Sequence, residues 1–210
     1  MKQWGTILAI ETSAKVASAA VIRDGNVLDT LCADETRKHA ETLIDTVDAL
    51  MKRCGMTLAD MDAFAVDVGP GSFTGVRIGV TTANAFAFAL HKPVLSVSSL
   101  DALKTACGPF SGTLCTLVDA GNGNAYYAVY RDGETVHAAD TASLGEILAS
   151  LPQDTLFAGD VPSVCKESAF PDAVSVGLAA CRLDDTGDEA RTLYLRPSQA
   201  ERMAALREKK

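Results

Sequence analysis

Apolar and polar positions follow the period of strands near the start of the chain and the period of a helix further on. Two apolar, strand-like runs over 6–12 and 16–23 flank a short polar turn, and Asp24 with Gly25 opens a second turn. Between 39 and 54, apolar residues recur every third or fourth position and a glycine follows directly. These patterns predict a β-hairpin, a third strand and an amphipathic helix over 39–54.

The most distinctive stretch lies at 67–79 and reads D-V-G-P-G-S-F-T-G-V-R-I-G. An apolar run over 63–68 leads into it and a long apolar segment to Leu90 follows, which predicts a strand, a tight turn and a helix. Ser72 or Thr74 is placed to cap this helix. Its N-terminus could bind an anion, although neither the P-loop spacing nor the dinucleotide-binding spacing is present.

Small residues recur at every fourth position through this helix, namely at Gly71, Gly75, Gly79, Ala83 and Ala87. The spacing places them on one face, where another element can approach closely. The stripe is compatible with tight packing inside the protomer, with contact to a second subunit, or with a phosphate cradle. Under the second interpretation, a bulky side chain at the middle glycines would block partner binding and leave the protomer folded.

The second half of the chain repeats the beginning. After a linker at 108–112, residues 117–136 align with residues 9–28 at a constant offset of 108, with six identities in twenty positions and no gap. The two copies share the strand, turn and strand order and the same R-D-G turn. Two related α/β domains are therefore predicted, over 1–107 and 108–210, the second smaller. A capping box, S-x-x-E, also predicts a helix in the second domain.

Composition narrows the classes of function. The 210 residues are 48% hydrophobic, yet no apolar run approaches the roughly 20 residues of a membrane span, and Glu11 interrupts the apolar start, unlike in a signal peptide. We therefore expect a cytoplasmic protein without membrane contact. The net charge is −8 and basic residues cluster only at 207–210, so the chain is not expected to hold nucleic acid by itself. The six cysteines and three histidines have no metal-ligand spacing, and neither a metal nor a cofactor is predicted.

Each repeated hairpin carries an acidic residue where its first strand ends, Glu11 in one and Asp119 in the other. This arrangement resembles the actin, sugar-kinase and heat-shock ATPase superfamily, whose two hairpin turns hold nucleotide phosphates and magnesium between the domains. Glu11, Asp119 and Gly121 are therefore candidates for a nucleotide site. The simpler explanation is that glycine and asparagine are ordinary residues of hairpin turns.

Four segments carry a more specific resemblance: I-L-A-I-E-T-S at 7–13, H-A-E-T-L at 39–43, the glycine-rich stretch at 67–79 and Y-L-R-P-S-Q-A-E at 194–201. Together they resemble the bacterial TsaB (YeaZ) family. The resemblance implies an α/β fold of two related actin-like (ASKHA-type, ribonuclease H-like) domains, the second one reduced. It also implies a protein without catalytic residues of its own. Gly121 departs from the family, since many members have an arginine at that position.

The resemblance further implies a role and partners. Members of the family are non-catalytic paralogues of TsaD, which transfers a threonylcarbamoyl group to N6 of adenosine 37 in tRNAs that read ANN codons. TsaD is the expected heterodimer partner and TsaE a further member of the complex. The resemblance also implies that a homodimer is possible in isolation, and that the chain meets tRNA only through the complex.

A subunit interface is predicted where the 39–54 helix lies beside the small-residue stripe, because two such helices can form a four-helix contact with an equivalent pair. The predicted interface residues are Leu43, Val47, Gly71, Gly75, Gly79, Ala83 and Phe86. Two other functions remain open from the residues alone. One is an ATP-dependent phosphotransferase using Glu11 and Asp119 around Mg²⁺, and the other is a peptidase, which the lack of a zinc motif disfavours.

Overall fold

The computed structural model of the chain describes residues 4–34, 38–166, 169–183, 187 and 189–195. The basic residues at 207–210 and the 196–201 part of the Y-L-R-P-S-Q-A-E segment lie outside these ranges. Within them the chain forms nine strands, five α-helices and a 3-10 turn at Leu58–Asp60. None of the helices described is long and apolar enough to pass through a membrane.

Five strands form the first sheet: β1 (Thr6–Glu11), β2 (Ser18–Arg23), β3 (Asn26–Cys32), β4 (Ala63–Asp67) and β5 (Val94–Val97). Their order across the sheet is β3-β2-β1-β4-β5. β1 runs antiparallel to β2 and parallel to β4, which is itself parallel to β5. The carboxyl ends of β1 and β4 therefore meet at one edge of the sheet, where Glu11 and Asp67 end neighbouring strands.

Three helices accompany this sheet: α1 (His39–Cys54), α2 (Phe73–Leu90) and α3 (Ser99–Ala106). α1 has the predicted bounds and ends at Gly55, whose φ of 63° is left-handed, a conformation that glycine adopts without steric cost. Of the two predicted capping residues, Ser72 caps α2, accepting a hydrogen bond from the Gly75 N–H at 3.2 Å. The glycine-rich turn between β4 and α2 therefore ends at Ser72, the residue that caps α2.

The second sheet contains β6 (Thr113–Gly121), β7 (Asn124–Arg131), β8 (Glu134–Ser143) and β9 (Leu156–Gly159). Its order is β8-β7-β6-β9, and β9 is parallel to β6 as β4 is to β1. Asp24 and Asp132 both have a φ of 49° in the corresponding hairpin turns. The segments that align at an offset of 108 thus form equivalent strands in the two sheets, with β1 and β2 in the first and β6 and β7 in the second. The predicted capping box of Ser143 and Glu146 is confirmed at the start of α4 (Leu144–Ser150).

Both faces of the first sheet are covered. Leu8 and Ile10 lie in the core shared with α1 and α2, whereas Ile7 and Ala9 lie in the core shared with α5 (Ala173–Ala180). All six residues of β1 are buried, which fits the unbroken apolar run from Ile7 to Ile10. α3 contacts both α5 and β6, so it lies between the two sheets.

The C-terminal part of the chain returns to the first sheet. α5 packs on β1, β2 and β4, and Gly187 forms an antiparallel bridge with Val94. The Leu193 N–H donates to the Val68 carbonyl at 2.7 Å. The first sheet is therefore covered in part by residues from beyond the linker at 108–112.

The small-residue stripe of α2 faces the turn that follows β1. A methyl group added at Gly75 would overlap the Thr12 carbonyl, and one added at Gly79 would overlap the Thr12 hydroxyl. At Gly71 the added carbon would lie 2.8 Å from Cβ of Ser13. The Thr12 hydroxyl also donates to the Gly75 carbonyl at 2.8 Å. Tight packing within the protomer thus accounts for these glycines, and the structure contradicts the expectation that bulky residues there would leave the protomer folded.

We predict that Gly75→Ala destabilises the protomer by about 1–3 kcal/mol, because the new methyl group must displace the backbone of the neighbouring turn. Gly145→Ala is a matched control in α4, where nothing lies within 4 Å of the added carbon. It is expected to gain about 0.5–1 kcal/mol from the higher helix propensity of alanine. Urea unfolding of both variants measures the difference, and equal stability of the two would contradict the packing described.

Candidate functional site

Two buried carboxyl groups lie where β1 and β4 end side by side. Glu11 and Asp67 are both 0% exposed. The Ser13 hydroxyl oxygen lies 2.7 Å from Oε1 of Glu11 and 2.9 Å from Oδ2 of Asp67. The Ser99 hydroxyl, at the start of α3, donates to Oδ1 of Asp67 at 2.7 Å. One polar cluster therefore joins the end of each strand to the start of α3.

Backbone N–H groups complete this carboxyl cluster. The Gly69 N–H donates to Oδ1 of Asp67 at 2.7 Å, and the N–H groups of Ser13 and Ala14 donate to Oε1 of Glu11. Among the residues described, no hydrogen-bond partner is found for Oε2 of Glu11, although that oxygen is buried. A buried oxygen without a partner disfavours the charged form of its carboxyl group.

Both carboxyl groups hold protons more strongly than exposed carboxyl groups do. Burial, and after it the negative charge of Asp67, raises the pKa of Glu11 to about 8. Burial raises the pKa of Asp67 to about 6, although hydrogen bonds from Ser99, Gly69 and Ser13 act in the opposite direction. The cluster is therefore suited to retain a proton near neutral pH.

The three nucleotide-site candidates occupy different environments. Glu11 is enclosed and offers no accessible oxygen to a bound cation, whereas Asp119 is exposed. The Gly121 N–H donates to Oδ1 of Asp119 at 2.8 Å, and the Asp119 N–H donates to Oδ1 of Asp160 at 2.7 Å. Across the described ranges, no three His, Cys, Asp or Glu side chains are grouped so that they could hold a metal ion.

An open groove lies on the outer face of α2, beside the start of α1. It has a volume of about 460 Å³ and is lined by Ala40, Phe73, Thr74, Arg77, Ile78, Thr81 and Thr82. Phe73 is 42% exposed, and Ile44, one helical turn beyond Ala40 in α1, is 54% exposed. Exposed apolar side chains beside a groove with a polar rim are typical of surfaces that bind other proteins. We call this feature the α2 groove.

Two aromatic rings hold Arg77 in the α2 groove. Its guanidinium lies 4.0 Å from the centroid of the Phe73 ring, and its Nε–H donates to the Tyr194 hydroxyl at 2.8 Å. The rings of Phe73 and Tyr194 are themselves 5.4 Å apart. The Asn84 side chain exchanges two hydrogen bonds with the backbone of Ala190, at 2.8 and 3.0 Å, which fixes the segment that leads to Tyr194. The C-terminal segment therefore forms one edge of the groove.

Most of the predicted interface residues lie inside the protomer. Leu43, Val47 and Ala83 belong to the core under α1 and α2, and Gly75 and Gly79 contact the turn after β1. Two others are less enclosed: the half-buried Phe86, whose ring centroid is 5.7 Å from that of Phe64, and the exposed Gly71, which adjoins Ser13. Of these seven residues, Gly75 and Gly79 set how closely α2 approaches the turn after β1.

Sequence reasoning missed the outward residues of the same helix. Phe73, Arg77 and Thr81 also recur at every fourth position, on the face of α2 opposite the stripe. Their mixture of aromatic, basic and polar types carries no periodic apolar signal. The polar cluster around Asp67 was missed for a different reason, since Ser13 and Ser99 become neighbours only in the folded sheet.

Solved structures define the class of protein. The chain aligns with YeaZ from Pseudomonas aeruginosa at a TM-score of 0.69 and 29% identity, covering 84% of this chain and 90% of that one. A second P. aeruginosa protein, described as similar to peptidase YeaZ, aligns at 0.79 and 26% identity, covering 91% and 100%. With the two repeated sheets, these alignments define an α/β protein with the fold of YeaZ.

Sequence comparisons define the family. The family model of TsaD, tRNA N6-adenosine threonylcarbamoyltransferase, matches residues 32–180. TsaB of Bacillus subtilis, a tRNA threonylcarbamoyladenosine biosynthesis protein, is 36% identical over 126 residues, 60% of this chain and 55% of that protein. An uncharacterized protein of Mycobacterium tuberculosis is 35% identical over 212 residues, 96% of this chain and 97% of that protein. The chain belongs to the TsaB (YeaZ) family.

We predict that Asn84→Ala frees the C-terminal segment from α2, because alanine can make neither of the two hydrogen bonds to the Ala190 backbone. Hydrogen exchange at the Ala190 and Leu193 amides should accelerate, and stability should fall by about 1–2 kcal/mol. Asn26→Ala, which removes one exposed hydrogen bond to the Asp24 carbonyl in a hairpin turn, is the control. Unchanged exchange in Asn84→Ala would show that other contacts hold the segment.

Proposed function

We propose that this chain is a non-catalytic scaffold and activating subunit of the complex that makes threonylcarbamoyladenosine in tRNA. Its catalytic partner would be TsaD, which transfers the threonylcarbamoyl group to N6 of adenosine 37 in tRNAs reading ANN codons. The observation that carries the proposal is the match to proteins named for this biosynthesis, in B. subtilis and, at 35% identity over 132 residues, in Escherichia coli. The complex would act in the cytoplasm.

The accessory role is supported by the state of the carboxyl groups at the strand ends. A phosphotransferase built on the two hairpins would need acidic oxygens of both Glu11 and Asp119 that can reach a hydrated magnesium ion. Asp119 is exposed. Glu11, which ends β1, is fully enclosed by its own turn and by Ser13. We therefore favour a partner-binding role over the ATP-dependent phosphotransferase that the hairpin pattern left open.

The α2 groove is the surface that we propose for the partner. It combines exposed apolar side chains, Phe73 and Ile44, with an arginine whose position is already fixed. Arginine and aromatic residues are enriched where protein contacts contribute most affinity, and a fixed side chain loses little entropy on binding. The stripe residues on the inner face of α2, including Gly75 and Gly79, would affect partner binding only indirectly. They set how closely α2 packs on the turn after β1.

The same groove would serve TsaD in a heterodimer and a second copy of the chain in a homodimer, because a two-fold contact uses the same patch on both partners. TsaE would join the assembly without replacing this contact. With a net charge of −8, the chain repels phosphate backbones and would meet tRNA through the other subunits.

The first test is reconstitution of tRNA modification from purified TsaD, TsaE and a source of threonylcarbamoyl-adenylate, with and without this chain. Modified adenosine should form when the chain is present, and the chain alone should transfer nothing. Mass spectrometry of digested tRNA measures the product. Equal product without the chain would refute the activating role, and transfer by the chain alone would refute the non-catalytic one.

A second test changes the α2 groove without changing the core. Thr81→Arg places a bulky charge on the outer face of α2 and should weaken TsaD binding at least tenfold, while the melting temperature stays within a few degrees. Leu148→Arg also adds an exposed positive charge, on α4 and away from the groove, and should bind as the wild type does. Isothermal titration measures both affinities. Equal affinities for the two variants would place the interface elsewhere.

A further inference from the structure

One hydroxyl group stands between two buried carboxyl groups. The Ser13 oxygen is within hydrogen-bond distance of Glu11 and of Asp67, at 2.7 and 2.9 Å, but a serine has a single hydroxyl hydrogen to donate. The second contact therefore needs a proton on one of the carboxyl groups. We propose that Glu11 and Asp67 share one proton through Ser13 near neutral pH, and that losing it weakens the contact between the turn after β1 and the glycine-rich turn.

The donors around the pair indicate how the proton is held. With the proton on Oδ2 of Asp67, that oxygen donates to Ser13, whose hydroxyl donates to Oε1 of Glu11. Oδ1 of Asp67 then accepts from the Gly69 N–H and the Ser99 hydroxyl, both at 2.7 Å. All these contacts become donor-to-acceptor pairs. The proton belongs to the pair rather than to one residue, because coupled groups titrate together.

The groups that face the pair come from several elements. From α3 the Ser99 hydroxyl faces it and from the glycine-rich turn the Gly69 N–H, both uncharged. From α1, His39 Nε2 lies 2.9 Å from the carbonyl of Ala14, one residue beyond Ser13. Asp160 of the second domain lines a small cavity with Ser13, and Lys15 is exposed on the same turn. Among the described residues, Asp67 is the charged group that raises the pKa of Glu11, after burial.

The position of the pair links its proton to the packing of α2. The Ser72 N–H, which belongs to the residue that caps α2, donates to the Ser13 carbonyl at 2.9 Å. Removing the proton leaves two anions that share one hydroxyl in the interior, where charge repulsion is poorly screened. This repulsion acts between the ends of β1 and β4. We therefore expect it to loosen the packing of the start of α2 against the turn after β1.

The sign of the pH dependence follows from the raised pKa values. The folded pair keeps a proton that the same residues release in the unfolded chain, so the folded state binds more protons and stability falls as pH rises. With burial raising the pKa of Glu11 to about 8 and that of Asp67 to about 6, one proton is held between those values. The folding equilibrium constant should fall about tenfold per pH unit across this window and level off above it.

Asp67→Asn tests the shared proton directly, because an asparagine amide can donate permanently to Ser13 and still accept from Gly69 and Ser99. Urea unfolding between pH 6 and 9 should show, in the wild type, the tenfold loss per pH unit up to about pH 8 and a plateau above it. In Asp67→Asn the loss between pH 6 and 8 should be smaller, because Glu11 stays buried but no longer has the charge of Asp67 beside it. Asp45→Asn, which removes an exposed carboxyl group from α1, should follow the wild type. Parallel profiles for wild type and Asp67→Asn would overturn the proposal.

Infrared spectroscopy of the wild type gives a second measurement that does not depend on a variant folding. A protonated carboxyl group should give its own carbonyl band at pH 7, and the band should vanish by about pH 9.5. Protection of the Ser72 amide, corrected for the intrinsic pH dependence of exchange, should fall with it. Absence of the band at pH 7, or its persistence with unchanged protection at high pH, would refute the shared proton.

Discussion

The close approach of α2 to the turn after β1 is the contact on which the rest of the structure depends. Gly75 and Gly79 leave the space that the carbonyl and hydroxyl of Thr12 occupy, so the helix lies directly on the end of the strand. That approach brings Ser13 to the two carboxyl groups beneath it and turns the remaining face of α2 outward. The buried carboxyl cluster and the exposed α2 groove therefore both result from the way α2 packs on the turn after β1.

The same arrangement encloses the acidic side chains where β1 and β4 end. Glu11 and Asp67 are both fully buried there, and the glycine-rich turn donates the Gly69 N–H to Asp67. Burial leaves neither of these carboxyl groups accessible at this edge of the sheet. The same contacts fix the start of α2 against the turn after β1. A helix whose start is fixed in this way favours the proposed partner binding, because a preorganised surface loses less entropy when a second protein docks.

Local sequence signals predicted the elements well and their environment less well. The period of 39–54, Gly55 after it and the serine before α2 gave accurate bounds, because helix ends are decided by residues a few positions apart. The repeat at an offset of 108 likewise reflected paired strands. The packing of α5 on the first sheet was not predicted, since no signal in a short apolar helix says which sheet it will cover.

At the candidate site, too, the sequence predicted the helix but not which residues pack against each of its faces. A period of four residues identifies a face of α2 but not what covers it, so the sequence left packing inside the protomer and contact with a second subunit both open. In the structure, Thr12 of the same chain covers Gly75 and Gly79. Phe73 and Arg77, on the opposite face, gave no periodic apolar signal. A helix that packs tightly by means of glycines can use larger side chains for recognition only on its other face. The stripe therefore marks the side of α2 that packs inside the protomer, and the binding surface that we propose lies on the opposite side.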